Sequence, residues 1–258
     1  MTSPEALLLG VLQGVTEFLP VSSSGHLVLG KSLLGIRSSG IAFEILLHGA
    51  TLLAVLVFYR ERLLALATGL LGREPAAWTY AGKLAVATLP TVLLTLSLRD
   101  VLEAQFARPM VAGAGLLVTG SILWTTRWTL SRAEGSEPSW NAAWWIGCAQ
   151  ALAILPGVSR SGATVSAALA LGVAPIQAAE FSFLMSIGAV VGAVVLSASD
   201  LAAGTAGSAA PLALGFAAAL GAGLAALALF VRLLRSQSFY RFAYYAWALG
   251  ALALLVAW

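Results

Sequence analysis

Apolar residues run along this chain in blocks of bilayer length. Uninterrupted stretches occupy residues 41 to 59, 77 to 98, 109 to 127, 175 to 196, 211 to 231 and 239 to 257. Each meets the roughly 17 to 25 residues that a helix needs to cross hydrocarbon. The pattern predicts six transmembrane helices. Polar segments separate them: YRER, LGREP, LRDVLEAQFARP, RWTLSRAEGSEPSW and VRLLRSQSFYR. Three loops carry Arg60, Arg62, Arg73, Arg127, Arg132, Arg232, Arg235 and Arg241, and with six spans all three fall on one side. The excess of arginine makes that side cytoplasmic. The loop 128 to 140 and the segment 232 to 241 are then cytoplasmic, and the turn at 36 to 40 and the loop 99 to 108 lie on the opposite face.

Two apolar regions remain, roughly 4 to 35 and 141 to 172, and each is interrupted at its middle by Leu-Pro followed by Ser and Gly. Proline lacks an amide hydrogen and disfavours helix in the residue before it, so each region reads as two short helices meeting at a break. Broken backbone at membrane depth is tolerated only where protein or a cavity shields it. The breaks resemble each other, VSSSG at 21 to 25 aligning with VSRSG at 158 to 162, and FEILLHGATLLAVLVF from Phe43 parallels FSFLMSIGAVVGAVVL from Phe181. A period of about 138 residues marks two copies of one unit, about 1 to 127 and 141 to 258, within a single membrane domain. Three spans separate the broken pairs, an odd number, so the copies enter from opposite faces. The fold class expected is an all-α polytopic membrane protein: six transmembrane helices plus two re-entrant pairs in an inverted-topology repeat, the breaks meeting near the midplane.

Composition agrees. Of 258 residues, 60% are hydrophobic and 10% charged, against about a quarter charged in a soluble domain. The N-terminus MTSPEALLLG has an acid at Glu5 and no basic n-region, so it does not read as a removable signal peptide. The single cysteine, Cys148, excludes an internal disulfide and reads as a small packing residue. The net charge of +3 comes from arginines spread between apolar spans with no interleaved aromatic patch, which excludes nucleic acid as a partner. Trp144, Trp145, Trp247 and Trp258 read as interface anchors.

Against this background VTEFLPVSSSGH, Val15 to His26, concentrates a carboxylate, three hydroxyls and an imidazole. Glu17, His26 and Arg160 are ionisable groups at membrane depth, where insertion costs roughly 2.5 to 3.5 kcal/mol for a central Arg, Lys or Asp. A purely structural Glu17 to Arg160 pair would explain the charges and leave the hydroxyls over. Serines cap helices, but one cap per helix does not use Ser22, Ser23, Ser24, Ser159 and Ser161. If a helix starts near Ser22, then Ser22 and Ser23 lie four and three residues before His26 on its face, the spacing of a nucleophile and its base. The helix N-terminus after each break offers free amides to an anion such as phosphate, and Arg160 adds a fork suited to phosphate oxygens. Glu17 beside a bound phosphate is a general base or a ligand for a divalent ion. His48, Glu44, Glu180 and Lys83 read as packing, capping or interface residues in preference to catalytic ones.

The stretches QGVTEFLPVSSSGH at 13 to 26 and PGVSRSGAT at 156 to 164 closely resemble the two signature motifs of the bacterial undecaprenyl-diphosphate phosphatases, also called the bacitracin-resistance protein family. The resemblance covers the whole chain in length, span number and motif placement. It implies a multi-pass enzyme of the bacterial inner membrane that removes the terminal phosphate of a C55 lipid diphosphate, recycling the carrier for cell-wall synthesis and conferring bacitracin resistance. It implies a divalent cation, Mg2+ or Ca2+, and catalytic roles for Glu17, Ser23, His26 and Arg160. Phosphate would be held by Ser22, Ser24, Gly25, Ser159, Ser161, Gly162 and Thr164. The attacking group is Ser23, with His26 or water as alternatives. Some members carry Glu where this chain has Gln13; Gln13 offers a cation its carbonyl oxygen and no charge, beside Glu17. The partners implied are the lipid substrate and membrane lipids, and the sequence leaves room for a homodimer. A transporter or lipid flippase is the rival reading, because inverted repeats with broken helices also build transporters.

Overall fold

A computed structural model describes residues 2–34, 41–105, 108–196 and 209–256; the turn expected at 36 to 40 and Trp258 lie outside them. The described residues are helical apart from turns and one isolated bridge between Gly135 and Val173. The first broken pair is α1 (Ser3–Phe18) and α2 (Ser23–Leu34), followed by α3 (Ile41–Phe58), α4 (Arg60–Leu71), α5 (Pro75–Gln105) and α6 (Pro109–Thr129). The second broken pair is α7 (Trp140–Leu152) and α8 (Arg160–Ala170), followed by α9 (Pro175–Leu196), α10 (Ala209–Arg235) and α11 (Phe242–Val256). Five helical stretches among the described residues are long and apolar enough to span a membrane, and α3 with α4 makes a sixth when the bent pair is taken together. The protein is an all-α polytopic membrane protein, as the apolar blocks predict.

Two boundaries differ from the sequence reading. Residues 60 to 71, expected as a polar connection, form α4, bent by 75° from α3. The bend is held by Arg62, whose Nε donates to Glu180 Oε1 at 2.8 Å and whose Nη2 donates to Glu137 Oε1 at 2.7 Å, with the guanidinium 4.5 Å from the Tyr80 ring. The stretch after Leu98, expected as a loop, is helical to Gln105 beyond a kink at Leu98.

Helix ends follow local chemistry. Thr2 caps α1 in a reciprocal box with Glu5, which accounts for the acid near the N-terminus. Ser139 caps α7, its Oγ accepting from the Ala142 amide at 3.1 Å.

Helices in lipid gain little from burial against one another and associate through close packing of small residues. Gly10 and Gly14 of α1 meet Gly215, Ala219 and Gly223 of α10, so close that a Cβ on Gly10 would fall 2.4 Å from the Gly215 carbonyl oxygen. The register runs 10 to 215 and 14 to 219, making the two helices parallel. In the second half α7 lies along α5 in the same sense, Trp140 against Gly82 and Gly147 against Ala87. Between these layers sits a core whose rings meet edge to face: Phe18 with Phe183 at 5.6 Å, Phe183 with Phe230 at 5.0 Å, and Phe230 with Phe239 at 5.3 Å. Phe18 ends α1, so the same packing that fills the core fixes where the first break begins.

Candidate active site

Both breaks are built alike. Ser22 precedes α2 and Ser159 precedes α8; each Oγ accepts from the amide three residues on, Gly25 at 3.3 Å and Gly162 at 3.1 Å. Each also pairs with the serine two residues later, Ser22 with Ser24 at 3.2 Å and Ser159 with Ser161 at 3.3 Å. One serine per break is thus a cap. Ser22 has φ of 67°, a left-handed conformation that costs a non-glycine residue on the order of 1 to 2 kcal/mol. Gly157 has φ of 89°, and a Cβ there would lie 2.0 Å from the Ala112 carbonyl oxygen of α6; only glycine fits. Thr119 of α6 braces this break, its hydroxyl donating to Gly157 O and accepting from Ser159 N, both at 2.8 Å.

The two breaks touch. Gly25 packs on Gly157, where an added Cβ would fall 3.1 Å from Gly157 Cα, and Ser161 Oγ donates to Leu19 O at 3.3 Å. The residues following the capping serines, Ser23 and Arg160, converge on one carboxylate. Ser23 Oγ donates to Glu17 Oε2 at 2.7 Å, and Arg160 Nη2 donates to Glu17 Oε1 at 2.6 Å. Gln13 Nε2 also donates to Oε2 at 3.0 Å. The ion pair is largely buried, the Glu17 and Arg160 side chains being 9% and 18% exposed, so the charges are held where screening is weak. Arg160 Nη1 is buried without a partner among the described residues.

This cluster forms one wall of a cavity of about 440 Å3. Ser22, Ser23, Ser24, Ser159, Arg160 and Glu17 line it, together with Glu44 and His48 of α3, Thr91 and Thr95 of α5, Gln150 of α7 and Ser186 of α9. The remaining predicted residues stand behind that wall. Gly25 and Gly162 supply amides to the capping serines. Thr164 donates to Arg160 O at 2.8 Å and pairs with Ser182 of α9 at 2.6 Å. Gln13 is fully buried, its amide nitrogen turned to Glu17 and its carbonyl oxygen unpartnered among the described residues.

Comparison with known proteins settles the family. The family model for bacitracin resistance protein BacA matches residues 6–252. The chain belongs to the bacitracin resistance protein BacA family. Relatives named undecaprenyl-diphosphatase include one from Desulfosudis oleivorans, 43% identical over 98% of this chain and 97% of its own length. Another, from Carboxydothermus hydrogenoformans, is 39% identical over 99% and 98%. A third, from Methanosphaera stadtmanae, is 35% identical over 98% and 97%.

Within this BacA-family fold the pairing of Ser23 with His26 expected from their spacing does not form. His26 Nδ1 bonds Ser22 O at 2.8 Å and Nε2 bonds Tyr245 OH at 2.7 Å, with the Tyr245 ring stacked on it at 5.7 Å. A carbonyl only accepts, so Nδ1 carries the hydrogen; in the neutral ring Nε2 then accepts from the tyrosine. The helix begins at Ser23, after the left-handed Ser22, which leaves the Ser22 carbonyl where the His26 ring folds back onto it. Sequence reasoning also sets aside Glu44 and His48 and has no sign of Thr91, Gln150 or Tyr245. The four-residue spacing of Glu44 and His48 in an apolar span is the one signal that places two polar groups on a common face.

The donor set bears on a cation. Glu17 is one carboxylate, and among the described residues no group of three His, Cys, Asp or Glu side chains is placed to hold a metal ion. Magnesium is commonly held by one or two carboxylates plus phosphate oxygens, and Glu17 with the Gln13 carbonyl oxygen, unpartnered among the described residues, is the donor set the site offers such an ion.

Proposed function

We propose that this chain hydrolyses undecaprenyl diphosphate to undecaprenyl phosphate and inorganic phosphate, with the chemistry carried by residues of the two breaks. The observation that carries the mechanism is the convergence of Ser23 and Arg160 on Glu17. Ser23 already donates to Glu17 Oε2, so the carboxylate stands ready to take the proton as Ser23 Oγ attacks the terminal phosphorus. The bond from phosphorus to the bridging oxygen breaks, and the lipid monophosphate leaves with that electron pair. Arg160 stabilises the equatorial oxygens. Its unpartnered Nη1 supports this role, since a buried donor without an acceptor costs about 1 to 3 kcal/mol that a phosphate oxygen relieves. The N-termini of α2 and α8 add amides and the positive ends of two helix dipoles. A divalent cation, Mg2+ or Ca2+, would be held by Glu17, the Gln13 carbonyl oxygen and phosphate oxygens and would neutralise charge on the diphosphate.

The substrate is amphiphilic, and the cavity answers to that: it has a polar wall at the breaks and an apolar lining from Ile45, Ile154, Ala189 and Val190. The membrane is the bacterial inner membrane in this reading, the reaction recycles the lipid carrier for cell-wall synthesis, and its product escapes bacitracin. We read the chain as an inverted-topology repeat. Support comes from the matching caps at Ser22 and Ser159 and from the parallel pairings of α1 with α10 and α7 with α5.

Purified protein in detergent should release inorganic phosphate from undecaprenyl diphosphate without any gradient, and a chelator should suppress the release. Movement of substrate across a sealed bilayer with no turnover in micelles would favour the transporter reading instead.

A further inference from the structure

In the proposed reaction Glu17 takes the Ser23 proton, which leaves the second half of the cycle without a base. Hydrolysis of a phosphoserine needs a group to accept a proton from the attacking water, and Glu17 is then protonated. The chain has two histidines. Both nitrogens of His26 are occupied, by Ser22 O and Tyr245 OH, and His26 stands behind the cavity wall. His48 is arranged differently. It lines the cavity with Glu17, Ser23 and Arg160. Its Nδ1 bonds Glu44 O at 2.8 Å, one turn back on α3. That carbonyl fixes the hydrogen on Nδ1 and leaves Nε2 with its lone pair. His48 is half-buried in the cavity lining, and its one hydrogen bond among the described residues is the one through Nδ1. An imidazole oriented through one nitrogen and open at the other is the arrangement of a general base.

From this geometry we infer that His48 is a catalytic residue, the base that activates water in the second half-reaction. The water oxygen bonds to phosphorus as its proton passes to His48 Nε2. The bond from phosphorus to Ser23 Oγ breaks, and Oγ takes that electron pair together with the proton held by Glu17. Inorganic phosphate leaves, and His48 returns its proton to solvent. Among the described residues, the charged groups that line the cavity with His48 are Glu44 on its own helix, Glu17 from α1 and Arg160 from α8. The walls from α5, α7 and α9 bring Thr91, Thr95, Gln150 and Ser186, none of which titrates in the working range.

The inference rests on the phosphatase reading, and two substitutions test it in the purified full-length protein with substrate labelled in its terminal phosphate. His48→Asn keeps an amide near Nδ1 to donate to Glu44 O and deletes Nε2; His48→Gln places a non-basic amide near Nε2. Each should release one equivalent of undecaprenyl phosphate in a burst, hold acid-stable label on Ser23, and then turn over slower than wild type by about 100-fold or more. Steady-state release within about threefold of wild type in either variant, or loss of the burst in both, overturns the role of His48. A wild-type protein that releases no phosphate overturns the phosphatase reading itself, and this inference with it.

Discussion

Glu17 Oε1 accepts a hydrogen bond of 2.6 Å from Arg160 Nη2 across 143 positions of sequence, and this contact joins the two broken helix pairs at the site. The opposite oxygen of the same carboxylate accepts from Ser23 at 2.7 Å. Ser23 and Arg160 occupy matching positions in the two breaks, so the repeat has supplied one framework twice and placed a hydroxyl in one copy and a guanidinium in the other. An ion pair at this depth is costly unless it is used or well compensated.

Arg160→Lys should abolish most turnover while keeping the charge. A compact ammonium cannot hold Glu17 and a phosphate oxygen with a planar fork. Steady-state kinetics in detergent check this, and near-normal turnover would reduce Arg160 to a countercharge.

Glu17→Gln keeps the shape and loses both proton acceptance and charge. Turnover should fall by about 100-fold or more, with the protein still folded by thermal melting. A normal rate at saturating magnesium would remove Glu17 from both proposed roles.

Two left-handed glycines separate strain from clash. Gly172 has φ of 83° with open space where a Cβ would stand, whereas at Gly157 the Cβ would meet Ala112 O at 2.0 Å. Gly172→Ala should cost about 1 to 2 kcal/mol. Gly157→Ala should lower the melting temperature far more and cut phosphate release, because the second break must move away from α6. Equal melting temperatures for the two variants would contradict this account of the break.

How far the fold and the site are legible in the sequence follows from which interactions are local. Leu-Pro followed by Ser and Gly dictates a break and a cap within a few residues, so the broken pairs and the roles of Ser22 and Ser159 as caps can be read directly. Span number comes from apolar length alone. The helix α4 escapes such a reading because what holds it is distant: Arg62 finds Glu137 and Glu180 only after folding. The partner of His26 escapes it for the same reason, Tyr245 lying 219 positions away. Rotation is the deeper difficulty. A helix apolar all round shows no polar face in its periodicity, so nothing in α5 announces that Thr91 turns toward the cavity, and in α3 only the spacing of Glu44 and His48 hints at a shared face.

Topology has its own test. In a protein with Cys148 replaced by Ser, Ser136→Cys and Gln105→Cys should be labelled by an impermeant thiol reagent from opposite sides of the membrane, Ser136→Cys from the cytoplasm. Labelling of both from one side would refute the arrangement of spans on which the inverted repeat depends.

The central claim, that Ser23 attacks phosphorus while Glu17 takes its proton, is tested most directly by acid quench of wild-type turnover with substrate labelled in the terminal phosphate, followed by peptide mapping. The account predicts an acid-stable phosphoserine at Ser23 that disappears in Ser23→Ala. An acid-labile adduct that persists in Ser23→Ala and vanishes in His26→Ala, or active enzyme that never carries label, would contradict it.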